Sequence, residues 1–210
     1  MFDFLQRLSP RLHRQIEFLL TLDRLKNVER RTWVTGQDRR ENSAEHSWHV
    51  AVAALVLSEY ASSAEINLEK VIQMLLLHDI VEIEAGDTFL YDEHSNQDKK
   101  SREQEAASRL FSLLPEDQAA AFRSLWEEFE TRQTPEAKFA AAVDRILPIL
   151  MNFARKGQLW QEHGVKAGLV RSRNRHIEEG SKTLWDVVNT VIDEAIARGF
   201  LEPGETEPTA

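Results

Sequence analysis

Apolar positions along the chain recur at helical spacing, in blocks separated by short polar stretches. Leu12, Ile16, Leu19, Leu20 and Leu22 follow a helical pattern in the first block. Ser9-Pro10 before it joins an N-cap residue to proline at the first helical position. A second helix is expected over "SAEHSWHVAVAALVLSEYA". Asn42, with Glu45 three residues on, forms the pattern of a capping box there. The nearly all-apolar second half of that segment predicts a central helix. Asn67 opens a third, "LEKVIQMLLLHDIVEIEA", expected to run unbroken to Gly86. "KKSREQEAASRLFSLL" and "EDQAAAFRSLWEEFETR" are amphipathic and divided by Pro115. Thr134-Pro135 starts "EAKFAAAVDRILPILMNFARKG", where Pro148 is expected to kink the helix or shift its register. Ser181 caps "KTLWDVVNTVIDEAIAR", and Gly199 ends it. "VERRTWVTGQDRR" and "DTFLYDEHSNQD" read as polar loops, and "QLWQEHGVKAG" as short and irregular. No series of strands and no fixed-period repeat is visible.

The pattern predicts an all-α fold: a single helical domain over 1–200, with 201–210 a disordered tail. Composition agrees, since only 8 Gly and 6 Pro punctuate 210 residues. No apolar run approaches the roughly 18 residues of a membrane span, so no membrane partner is expected. The opening "MFDFLQRLSPRLHRQ" lacks the charge-then-apolar order of a secretory leader. With no cysteine to form disulfides, the expected location is cytoplasmic. A net charge of −9 argues against long nucleic acid as a partner. A few arginines can still build a local pocket for a small phosphate.

The most apolar run, "MLLLHDIVEIEAGD", contains ionisable groups that are seldom buried unless paired or metal-bound. On a continuous helix His78 and Glu82 would share a face, with Asp79 on its flank. Alone, His78-Asp79 reads as well as a polar pair at a helix end. His46 and His49 share a face of the second helix, and either could point inward or toward solvent. Asp144, beside Arg145 in an apolar helix, reads alone as half of an ion pair. Together, His46, His78, Asp79 and Asp144 come from three helices in apolar surroundings. A helical bundle interior is where such side chains hold a metal. Two imidazoles and two carboxylates suit one divalent ion with open positions better than a closed structural zinc site. Mn, Co, Fe, Ni, Zn and Mg are not separated by these donors.

The motifs "SAEHSWHVAVAAL", "MLLLHDIVEIEAGD" and "AAAVDRILPIL" resemble, in order, the His…His-Asp…Asp signature of the HD-domain metal-dependent phosphohydrolases. The resemblance covers roughly Leu20 to Gly164 and is nearest to the small 5′-deoxynucleotidase-like group. It implies an all-α phosphohydrolase acting on a nucleoside 5′-monophosphate, with His46, His78, Asp79 and Asp144 as metal ligands. It implies that Glu82 handles the proton of an attacking water, with Asp87 a further catalytic or sugar-contacting candidate. It places Arg30, or its neighbour Arg31, on phosphate and Trp33 on the base. Here the aromatic does not directly follow Arg30 as it does in that group. Trp160 and His163 are expected to border the pocket, whereas His13, His94 and His176 have no assigned role. A nucleotide phosphodiesterase, a pyrophosphohydrolase or a non-catalytic nucleotide sensor would carry the same signature. The stripes of 100–130 and 181–198 fit either a homodimer face or cover for the core.

Overall fold

A computed structural model describes residues 3–204. After a short 3-10 turn, α1 (Pro10–Leu22) leads into a two-stranded antiparallel ribbon, β1 (Glu29–Trp33) and β2 (Arg40–Asn42). Helices α2 (Ser43–Leu57) and α3 (Leu68–Leu77) follow, then the short α4 (Glu82–Ala85) and α5 (Glu93–Asn96). Next come α6 (Lys99–Phe111), α7 (Glu116–Thr131) and α8 (Pro135–Ala154). The chain closes with α9 (Gln158–Glu162), α10 (Ala167–Asn174), α11 (Ile177–Gly180) and α12 (Lys182–Ala197).

The helix starts follow their caps. Ser9, Asn67, Thr134 and Ser181 each accept a hydrogen bond from a backbone N–H three residues on. At α2 the capping box is complete: Asn42 accepts from the Glu45 N–H, and Glu45 accepts from the Asn42 N–H.

Helix α8 is the axis of the fold and packs against α2, α3, α7, α11 and α12. Its buried Ala137, Ala140, Ala141 and Ala142 keep its first half thin. Gly180 of α11 comes so near that an added Cβ would lie 2.1 Å from the Lys138 carbonyl oxygen. Around α8 the core joins Val50 and Ala54 of α2, Val71 and Leu75 of α3, and Val188 and Ile192 of α12. A second core sets Phe18 against Leu77, Ile80, Phe111 and Trp126. The stripes of α6, α7 and α12 are spent on these cores: Ala106, Leu110, Trp126, Leu184 and Trp185 are all buried.

Several local expectations differ from what forms. The arginine-rich stretch is a ribbon rather than a loop. It pairs Glu29 with Asn42 and Trp33 with Arg40, so β1 carries a bulge that re-aims its side chains. The third helix does not run to Gly86 unbroken. It stops at Leu77, where the N–H groups of Ile80, Glu82 and Ile83 take tighter i−3 bonds before α4 forms. Helix α2 is central on one side only, because Trp48, Val52, Leu55 and Val56 are exposed on the other. Helix α8 continues through Pro148 as one element. The chain end is not free from 201 onward, since Leu201 is buried and the Ala167 N–H donates to the Glu202 carbonyl. Positions 205–210 of the expected tail lie outside the described residues. No helix among the described residues is long and apolar enough to cross a membrane.

Candidate metal centre

Three elements bring the ionisable groups together. The capped first turn of α2 turns His46 inward, while His49 stays half-exposed beside Trp48. The end of α3 supplies His78 and Asp79, and α8 supplies Asp144. All four are buried. His46 Nε2 lies 2.8 Å from Asp144 Oδ1. The rings of His46 and His78 sit 5.6 Å apart. One ligand atom each from His46, His78 and Asp79 fall within 4.8 Å of one another, close enough to converge on one ion.

The hydrogen bonding of His78 tests whether a metal fits. Its Nδ1 is 2.7 Å from the Leu75 carbonyl, an atom that can only accept, so Nδ1 carries a proton. Nε2 is therefore the titrating atom. It is buried without a hydrogen-bond partner, although Asp79 Oδ1 is 3.1 Å away and Asp144 Oδ1 is 3.5 Å away. A bare imidazole lone pair among carboxylate oxygens needs either a proton or a cation. A divalent ion among His46, His78 and Asp79 would satisfy that lone pair, so the residues fit one.

Burial opposes charge on His78, but the Asp79 and Asp144 carboxylates outweigh it and lift its pKa from 6.5 to about 9. Asp144 lies well below the usual carboxylate range, because Arg145, His46 and His78 outweigh its burial. Glu103, also in the cleft wall, is lifted by burial to about 7 despite Lys99. Metal-free protein should therefore lose stability as pH rises. The Glu103 contribution disappears as pH passes from about 4.5 through 7. The His78 contribution, on the order of 3 kcal/mol, is whole below about 6.5 and lost through about 9. Thermal melts of chelator-treated protein between pH 6.5 and 9.5 check this, and a flat midpoint would count against the charged His78.

Around these four residues, one guanidinium is held among acids. Arg30, on the bulged β1, places Nη1 2.7 Å from Asp79 Oδ2, 3.8 Å from Asp87 Oδ1 and 4.0 Å from Glu82 Oε2. Those carboxylates overcome its burial and keep it charged. Glu82 opens α4, and the Ser43 hydroxyl donates to its Oε2 at 2.7 Å. Burial and Asp79 push Glu82 well above the usual range, against Arg30. Burial raises Asp87 too, although Arg30 opposes it. Gly86 turns the chain from α4 into Asp87 with φ 75°, a conformation open to glycine.

These groups line the floor of an open-mouthed cleft with a cavity volume of about 110 Å³. Arg31, Lys99 and Arg145 add cationic groups to its wall, and Phe89, Tyr91 and Trp160 add aromatic surface. Trp33 does not line it. The Trp33 indole donates to Glu162 and lies under the Arg40 guanidinium, 3.7 Å from the ring centroid. Arg40 thus packs on Trp33 and pairs with Glu162. His163 does not line the cleft either, and packs at a tilt against Phe89, ring centroids 4.6 Å apart.

Sequence reasoning passed over Glu41, Lys99, Tyr91 and Asn152. Glu41 is buried with Oε2 3.4 Å from His46 Nδ1, where it can orient that ring. The pattern offered one signal for it, an acid immediately before the capping box. The others are brought in by packing alone.

The family model described as HD domain matches residues 22–185. The human protein named 5′-deoxynucleotidase HDDC2 is 34% identical over 136 residues. That match takes in 64% of this chain and 65% of the human one, so the chain spans just under two thirds of that relative. The zebrafish protein of the same name is 27% identical over 191 residues, covering 81% of this chain and 94% of its own. A crystal structure from Magnetospirillum magnetotacticum, called a predicted metal-dependent phosphohydrolase, is 49% identical with a TM-score of 0.87. It covers 92% of this chain and 96% of its own.

Proposed function

The chain belongs to the HD domain family, and from that premise we propose that it is a divalent-metal-dependent phosphomonoesterase acting on (deoxy)nucleoside 5′-monophosphates. The observation that carries this reading is the unpartnered Nε2 of His78, set between Asp79 and Asp144 at the floor of a cleft walled by cations and aromatic rings. The printed names of the human and zebrafish relatives support the substrate class.

His46, His78, Asp79 and Asp144 would hold the ion. When bound, it supplies Lewis acidity that offsets charge on the transferring phosphoryl group and makes water more acidic. Mn, Co, Fe, Ni, Zn and Mg all remain compatible with two imidazoles and two carboxylates.

The remaining steps fall to the protein. Glu82 takes a proton from the attacking water and returns it to the leaving ribose oxygen. Ser43 fixes the orientation of its carboxyl, and the raised pKa of Glu82 suits a group that must both accept and give a proton. Arg30 faces the phosphate, its guanidinium held by Asp79 with Asp87 beside it. Arg31, Lys99 and Arg145 make the rest of the wall attractive to a dianion. Phe89, Tyr91 and Trp160 form the apolar surface for the nucleoside, and Trp33 supports the wall from behind.

Protein stripped of metal and reloaded with Mn or Co should release inorganic phosphate from deoxynucleoside 5′-monophosphates, and the stripped protein should not. Reloaded protein that cleaves only phosphodiesters or nucleoside triphosphates would replace this reading.

A further inference from the structure

The buried side-chain polar atoms without a partner, among the described residues, are Arg30 Nε, His78 Nε2, Trp126 Nε1 and Asn152 Nδ2. Arg30, His78 and Asn152 line the same cleft. The first two belong to the metal and phosphate end. Asn152 stands apart from them, and buried native polar groups are almost always satisfied.

Its orientation is fixed. The Leu159 N–H donates to Asn152 Oδ1 at 3.1 Å, and only the oxygen of the amide can accept. Nδ2 is therefore the atom left over, and it brings donors with nothing to receive them. Asn174, the other amide of the cleft wall, is already engaged, since its Nδ2 donates to the Val170 carbonyl at 2.8 Å.

Distance decides what Asn152 can meet. Asp144, Pro148 and Asn152 fall on one stripe of α8, and all three line the cleft. At ~1.5 Å per residue, Asn152 lies about 12 Å along the helix from Asp144. That is too far for the phosphate held beside Asp144. It matches the reach of an extended nucleoside monophosphate, whose far end is the exocyclic edge of the base. Leu159 and Trp160 beside Asn152 give that ring an apolar place to lie.

We propose that Asn152 reads the base edge, its Nδ2 donating to the exocyclic keto oxygen that separates thymine, uracil and guanine from cytosine and adenine. This rests on the nucleotide reading above. A base bearing an amino group at that position would set donor against donor and leave Nδ2 unsatisfied.

The test measures kcat/KM of reloaded wild type and Asn152→Asp for thymidine and deoxycytidine 5′-monophosphates. Aspartate keeps an acceptor for the Leu159 N–H and replaces the donor with a second acceptor. Wild type should favour the thymine substrate about tenfold, and N152D should reduce that ratio by at least about tenfold. A ratio equal in the two proteins overturns the inference, including the case where both rates fall together, as a structural role alone would give. Wild type that releases phosphate from neither nucleotide overturns the nucleotide reading and this inference with it. A thermal melt shows whether N152D folds. If it does not, Asn152→Ser, which removes the amide donor, is read by the same ratio.

Discussion

Glu82→Gln should lower kcat by about 10²- to 10⁴-fold while the protein still takes up its divalent ion. The amide is nearly the same shape and still accepts from Ser43, so the fold around α4 is kept. What disappears is the ability to take and return a proton. Metal content of the reloaded variant and its KM should stay near wild type, since Glu82 is not among the residues that would hold the ion. Metal loss in parallel with activity would show instead that Glu82 is a ligand. An unchanged kcat would remove it from proton transfer altogether. Glu82 shares its environment with Asp79 and Arg30, so the uptake measurement is what makes the kinetic result readable.

Asp79→Ala should have the opposite signature: no retained metal, no phosphate release and a lower melting temperature. Two roles end together. One ligand atom leaves the cluster with His46 and His78, and Arg30 loses its 2.7 Å partner. Removing one member of a buried ion pair costs about 3–5 kcal/mol. Glu82 and Asp87 still face Arg30, so the lower end is expected. Metal analysis after dialysis and a melt in chelator separate the two roles. The stability loss must persist without metal, because the Arg30 pair exists without it. A variant as stable as wild type in chelator would mean that Arg30 is not held mainly by Asp79.

The parts of this structure that sequence reading reaches are those set by neighbours along the chain. The caps at Ser9, Asn42, Asn67, Thr134 and Ser181 are local hydrogen bonds, and their donors sit three residues away by construction. His46, His78, Asp79 and Asp144 could be brought together because each lies in or at the end of an apolar run where an ionisable side chain needs a partner. The ribbon over Glu29–Asn42 is masked by its own charge, since Arg30, Arg31 and Arg40 carry the look of a solvated loop. The break after Leu77 is also hidden. Its apolar run reads as continuous helix, yet His78 Nδ1 takes the Leu75 carbonyl and the next N–H groups tighten around it. Trp33 shows the limit of reading an aromatic beside an arginine: its ring packs under Arg40 outside the cleft. Asn152 lies in a segment whose spacing says only helix. Its meaning depends on Leu159, which returns to it after the chain has turned at Gly157.

That one helix carries both Asp144 and Asn152 has a consequence for how such a molecule can vary. A helix counts residues: inserting one between them would swing Asn152 by about 100° and advance it by ~1.5 Å. The amide would leave the cleft wall and abandon Leu159. Residues 92–98, which follow the wall residues Phe89 and Tyr91 and lead into α6, face no such arithmetic. Drift in length should therefore gather there, while the interval between Asp144 and Asn152, if both contact one substrate as proposed, would act as an indivisible gauge of its length.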